Sequence, residues 1–340
     1  MLDVNDVTKI VNEIERKIEN GEYERKIEYG LAYKVSSRGE YPELYVIVGE
    51  SKYENLLAAY ISPEEPRYNL ILEEYGLDYS GSGIIFLRRS KIYESERLKT
   101  SETWDERLVL AHELGHYIFR KSIIEPALHD DSPDSKRKYE TIKSLYALLH
   151  LAFQINKFIY SQEVYNELKK RQSENSNLSE RIRELDRYSQ EVYSFSMDAL
   201  KNFMTLNEAY AIATEILTAL EWVKNNKISR VHAVRYLNNQ FELWKLVDIH
   251  FMALSKIFYG LNKNSWIWQL MDRFLKYNQI SEDALIKELE KRIGGILREA
   301  EYELHKFPDK AGKKLNELVE KRVVIENNLE TLKMELYRVL

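Results

Sequence analysis

The chain has 340 residues, 44% of them apolar and 31% charged, with a formal net charge of −5. That length supports a sizeable core divided among two or three lobes, and the acidic balance argues against a dominant nucleic-acid-binding surface. The absence of cysteine excludes disulfides, thiolate metal ligands and a Cys nucleophile, so a tightly held metal must take His and carboxylate ligands, the donor set of catalytic rather than closed structural sites.

The first six residues, MLDVND, are acidic and amphipathic and do not read as a secretory signal. No run approaches about 18 uninterrupted apolar residues, so no membrane span is expected and the cytoplasm is the default compartment. Residues 3–20 are predicted to form an amphipathic helix. Val4, Val7, Ile10, Val11, Ile14 and Ile18 fall on one face, and Gly21 ends it. Strands are predicted over 31–36 and 44–48, on either side of a turn-like Ser-Ser-Arg-Gly-Glu-Tyr-Pro stretch. A helix is predicted over 52–61, with Pro63 and Pro66 breaking the chain beyond it. A short apolar strand over 83–87 and a helix from Thr103 to Arg120 come next.

From about residue 135 onward the pattern is almost wholly helical, with a polar break over 172–179 and helices over 207–223, 230–260 and 265–278. Residues 281–340 read as two long helices joined at 307–312. In the last of them Leu315, Leu318, Ile325, Leu329, Leu332, Leu336 and Val339 keep alternating 3/4 spacing, and Ile286, Leu289, Ile293, Ile296 and Ala300 offer a matching stripe. A helical hairpin is expected there.

The chemistry is concentrated in His112-Glu113-Leu114-Gly115-His116. On a helix, positions i and i+4 share a face, so His112 and His116 can offer two imidazole nitrogens to one ion. Glu113 is turned about 100° from His112, beside the metal rather than on it. There it can take a proton from an activated water and pass it to a leaving amine. Glu113 is the only formally charged residue between Arg107 and Arg120, and a carboxylate in an apolar helix is costly without a partner or a task. Gly115 costs the helix about 1 kcal/mol against Ala, which suits a position where something packs closely.

Catalytic zinc takes three protein ligands. An H-x-x-G-x-x-H continuation fails, because Phe119 and Ser122 occupy the positions it needs. His129, Asp130 and Asp131 lie in a setting that reads as a solvated turn. Glu208 is better placed, in a helix whose Ala209, Ala211 and Ala213 permit close approach to another helix. An ordinary surface Glu near a helix N-terminus is the alternative for it. His232 reads as a partly buried structural residue, with assistance to an oxyanion as the alternative, and His150 and His250, on apolar helical faces, as core or interface residues.

Residues 107–119, with the His-Glu-x-x-His pattern, resemble the zinc helix of the ImmA/IrrE family of metallopeptidases. Residues 208–217 (EAYAIATEIL) resemble that family's second motif, E-A-N-x-F-A-x-x-L-L, and residues 228–237 the short helix that usually comes after it. The resemblance implies His112, His116 and Glu208 as zinc ligands and Glu113 as general base. It also implies a small gluzincin-like core. Family members are often intracellular, and several cleave or inactivate a repressor. Tyr210 and Ile212 depart from the second motif, and the Met-Pro expected after it is absent.

The resulting expectation is an α+β fold: a short sheet, the His-Glu-x-x-His helix and the glutamate helix, with a large all-helical elaboration. Its parts are residues 1–122 with the zinc helix, a helical insertion over 123–204, the glutamate-ligand helix and its successor over 205–240, and a helical region over 241–340. The insertion and the C-terminal region are expected to share one lobe that walls the site and could bind a protein partner. The function expected is a Zn2+-dependent endopeptidase acting on a protein or peptide substrate, without membrane or direct nucleic-acid binding. The rival is a catalytically silent zinc-containing interaction module or a DNA-associated regulator.

Overall fold

The computed structural model describes residues 4–35, 44–54, 56–79, 81–88, 98–129, 132–161, 164, 176–259, 266–276 and 282–337. The fold is α+β, with one small mixed sheet among many helices. The chain divides into two compact units, the first made of 1–63, 67–129 and 202–304, the second of 64–66, 130–201 and 305–340. No helix among the described residues is long and apolar enough to cross a membrane.

The first unit opens with α1 (Val4–Asn20). Its predicted stripe is buried at Val7, Ile10, Val11, Ile14 and Ile18. Five strands come after it: β1 (Arg25–Ile27), β2 (Gly30–Val35), β3 (Leu44–Gly49), β4 (Ala58–Ile61) and β5 (Ile84–Arg88). Their order is β1-β2-β3-β5-β4, with β3 and β5 parallel and every other pair antiparallel. The crossover from β3 to β5 carries α2 (Pro66–Tyr75). Residues in register across the sheet sort to its two faces, because side chains alternate along a strand. Ala32, Ile47, Phe86 and Ala59 form one row and pack with Tyr68, Ile71, Leu72 and Tyr75 of α2. Tyr33, Val46, Ile85 and Tyr60 form the adjacent row on the opposite face, where the ring of Tyr60 meets Tyr117 at 6.0 Å. That face carries α3 (Glu106–Phe119).

Two local expectations are corrected. The segment predicted as a helix over 52–61 supplies the edge strand β4, because pairing with β5 overrides local helix preference. Pro66 starts a helix rather than ending one, since the first helical position needs no backbone N–H. The turn predicted over 36–42 lies outside the described residues.

After α3 the chain makes a π-helical turn, Arg120–Ile124, and the short α4 (Glu125–His129). Then come α5 (Pro133–Ile159), α6 (Ser176–Lys224), α7 (Arg230–Trp244), α8 (Asp248–Leu254), α9 (Trp266–Lys276) and α10 (Glu282–Tyr337). Both α6 and α10 run through parts of each unit. Helix α10 contains Pro308 and breaks at Gly312, where φ 43° and ψ −141° are conformations that only glycine adopts readily.

The joint lobe expected of 135–204 and 241–340 does not form as such. Residues 202–304 cluster with the sheet and α3, and only 305–340 join 130–201. The C-terminal leucine seam is buried at Leu318, Leu329 and Leu332. Polar contacts tie it to the N-terminal part of α6. Tyr188 donates to the Leu318 carbonyl at 2.9 Å, Arg181 reaches Asn328 and Glu335, and Lys314 pairs with Glu191. The second unit is thus a helical assembly of α5, 178–201 and the last part of α10, with Ser189 tying α6 to Asn156 of α5 at 2.8 Å.

Candidate metal centre

Helix α3 begins at a buried cap. The Asp105 side chain accepts from the Arg107 backbone N–H at 3.1 Å and from the Arg107 guanidinium at 2.9 and 2.6 Å. His232 of α7 adds a contact to the same carboxylate at 3.0 Å. His232 therefore anchors the start of the helix, two turns before His112, and has the structural part read for it in the sequence.

One turn apart on α3, the rings of His112 and His116 have centroids 5.0 Å apart. The glutamate helix α6 crosses directly against them. A Cβ built on Gly115 would stand 2.7 Å from Cα of Ala211 and 3.1 Å from Thr214, so glycine is what lets the two backbones approach. Ala211 is fully buried at this crossing; Ala209 and Ala213, also fully buried, lie on the other side of α6, so Ala211 and Thr214 are the residues of that segment that permit the close approach.

The crossing brings Glu208 to the histidines. Its Oε2 lies 3.7 Å from Nε2 of His112 and 3.7 Å from Nε2 of His116. Among the described residues, this is the one group of His, Asp and Glu side chains close enough to hold a metal ion, with its ligand atoms all within 4.8 Å of one another. The remaining nitrogens of the pair are already engaged. His112 Nδ1 meets Glu215 Oε2 at 2.9 Å, and Tyr236 of α7 donates to the other oxygen of Glu215 at 2.6 Å. His116 Nδ1 meets Asn207 Oδ1 at 3.0 Å. An acceptor at Nδ1 holds the neutral ring's proton there, so that Nε2 is the nitrogen that can offer a lone pair once it gives up its own proton. The donor set tests well against a divalent cation. Both Nε2 atoms and Glu208 Oε2 converge, and that carboxylate oxygen is buried without a hydrogen-bond partner, which is costly unless something positive meets it.

Electrostatics track the same geometry. Burial works against a charged His112, but Glu208 and Glu215 outweigh it and raise its pKa well above the ordinary imidazole value. Burial would also raise Glu208, yet His116, His112 and His250 hold it well below the usual carboxylate range. Glu113 behaves differently. Burial pushes its carboxyl up, and the two imidazoles offset this only in part, as does the backbone N–H of Tyr60 on the edge strand. Glu113 is 6% exposed.

The chain gives no match to a family model, to a curated protein or to a solved structure.

The other sequence candidates separate cleanly. His129 ends α4, and Asp130 and Asp131 lie outside the described residues. Glu215 and Tyr236 were not singled out in the sequence. Glu215 sits seven positions after Glu208, on the same face two turns on, and that spacing was the available signal. His250 was read as a core or interface residue. Its Nε2 instead lies 3.4 Å from Glu208 Oε2.

Proposed function

We propose that the chain is a zinc-dependent endopeptidase, with His112, His116 and Glu208 as ligands and Glu113 as general base. The observation that carries this reading is the placement of Glu113. It is a buried carboxylate with a raised pKa, next in sequence to one ligand and three residues from the other, on the helix that carries both histidines of the metal-capable group. A retired or purely structural site has no need of it, since replacing an unused buried carboxylate by an apolar side chain relieves a desolvation cost.

Zinc suits a donor set of two imidazoles and a carboxylate with an open position, and when bound it lowers the pKa of water and polarises a carbonyl. The chain's own residues supply the rest. Glu215 with Tyr236, and Asn207, orient the two imidazoles. Glu113 accepts a proton at its carboxylate and later delivers it to the leaving amine, a role compatible with a buried carboxyl whose pKa burial raises. Tyr60 presents its backbone N–H to Glu113 and so ties the edge strand to the base. The resemblance to the ImmA/IrrE family supports the same assignment of residues, and with it an intracellular protein substrate such as a regulatory protein.

Cleavage of fluorescein-labelled casein by zinc-loaded protein tests the reading. Glu113→Gln is expected to keep its metal and fold and to lose activity by a factor of about 10² or more, since general base catalysis contributes on the order of 10²–10⁴. Undiminished cleavage by the variant would place the base elsewhere.

A further inference from the structure

Helix α7 (Arg230–Trp244) has two working faces. One is apolar and buried at Ala233, Leu237, Phe241 and Trp244. Apolar burial is non-directional, so by itself it does not fix the register of a helix on its neighbours. The other face is polar. His232, Arg235, Tyr236 and Asn239 share it at i, i+3, i+4 and i+7, and each makes a directional contact. His232 Nε2 lies 3.0 Å from Asp105 Oδ2, and Arg235 pairs with Glu102 at 2.6 Å. Tyr236 donates to Glu215 at 2.6 Å, and the Asn239 amide donates to the Thr103 carbonyl at 3.0 Å. The Arg235 pair is exposed on both sides and contributes little.

Capping of α3 does not account for His232. The Asp105 carboxylate already accepts from the Arg107 backbone N–H and from the Arg107 guanidinium on both of its oxygens, so the start of α3 is held without the imidazole. What His232 adds is a tie between that start and α7. One turn further along α7, Tyr236 holds one oxygen of Glu215, whose other oxygen meets His112 Nδ1 at 2.9 Å. A single helix therefore grips α3 at its buried cap and α6 at the carboxylate that aims His112. These are the two helices that carry the metal-capable group.

We infer that α7 is one clamp that sets the geometry of the metal centre, with His232 as a positioning residue acting through Asp105 and Tyr236 as its counterpart acting through Glu215. The clamp fixes the start of α3 and the Glu215 position of α6 relative to each other, and so the convergence of the His112 and His116 nitrogens on Glu208. The inference rests on the metal centre of the proposed reading and does not depend on peptide cleavage. Groups that orient a ligating imidazole contribute about 10–100-fold to metal affinity. Two ties made by one helix are interdependent, because losing either frees the same element, whereas unrelated contacts add.

The test is a double-mutant cycle in zinc affinity on the full chain, measured by competition with a chelator, with urea unfolding of each variant alongside. His232→Ala and Tyr236→Phe are each expected to weaken zinc binding about tenfold, and the double variant by little more than the larger single loss. Independent contacts would multiply to about a hundredfold, and that result overturns the clamp. His232→Gln, whose amide N–H can donate to Asp105, should regain most of the affinity lost in His232→Ala. A lowered urea midpoint in His232→Ala at wild-type zinc affinity would make the residue merely structural and overturn the inference, as would equal losses in His232→Ala and His232→Gln. Should Tyr236→Phe or the double variant fail to fold, the comparison of His232→Ala with His232→Gln decides. Wild-type protein that binds no zinc overturns both the clamp and the metal centre, whereas a multiplicative cycle in zinc-binding protein removes the clamp alone.

Discussion

Each histidine of the pair uses one nitrogen inward and one outward, and the outward contacts decide how well the inward ones are aimed. At His112 the outward partner is Glu215, itself held by Tyr236 at 2.6 Å and only 2% exposed. Such partners fix the tautomer and raise ligand basicity, and their loss typically costs 10–100-fold in metal affinity. Glu215→Gln is therefore expected to weaken zinc binding by about that range without unfolding the protein, measured by competition with a chelator; unchanged affinity would show that the hydrogen bond is incidental. At this scale the sequence was legible where chemistry imposes a fixed local spacing. His112, Glu113 and His116 declare themselves because i and i+4 on one helix suffice. Glu215, Tyr236 and His250 do not, because their roles depend on which helices cross, and a lone His on an apolar face looks like any core residue.

Two helices make the site possible by crossing closely, and the crossing rests on Gly115. Any side chain there meets Ala211 backbone at once. Gly115→Val is expected to force α3 and α6 apart, at about 1–3 kcal/mol of stability for the overpacking alone, and to lower zinc affinity more than Glu215→Gln does, because Glu208 moves with α6. Urea unfolding and chelator competition on the same variant check both parts; full zinc affinity at reduced stability would uncouple the crossing from the site. Periodicity found the long elements well, including α1, β3, β5 and α3, since their apolar patterns are strong. It failed on β4, four residues whose strand state comes from pairing with β5, and it took Pro66 for a breaker where it is an N-terminal residue of α2. The β4 error was not avoidable from local pattern, because edge pairing comes from β5; the Pro66 error was, since proline favours the first position of a helix.

The whole molecule separates the metal-capable unit, which holds the sheet and residues 202–304, from a helical unit made of 130–201 and 305–340. Apolar stripes in the sequence showed that the C-terminal helices needed partners but not which ones. The stripe over 286–300 and the seam over 315–336 matched in spacing, yet they fall in different units, the division lying between Leu304 and His305. This division has a thermodynamic consequence. Leu318 is fully buried in the second unit, and Leu318→Ala is expected to cost that unit about 2–5 kcal/mol while leaving zinc affinity unchanged. Zinc at about 100 times its dissociation constant should stabilise the first unit by about 2.7 kcal/mol. In calorimetry, the transition that zinc raises should be the one Leu318→Ala leaves in place; a single transition shifted by both would contradict two separately cohesive units.

Everything functional rests on one ion held jointly by α3 and α6, and elemental metal analysis of wild type and Glu208→Ala after zinc loading and desalting addresses it directly. Glu208 lies far from the histidines in sequence and meets them only through the helix crossing. One zinc per chain in wild type, with most of it lost in a folded Glu208→Ala, is the expected result. Equal zinc in the two proteins, or none in either, would contradict a metal centre built by His112, His116 and Glu208.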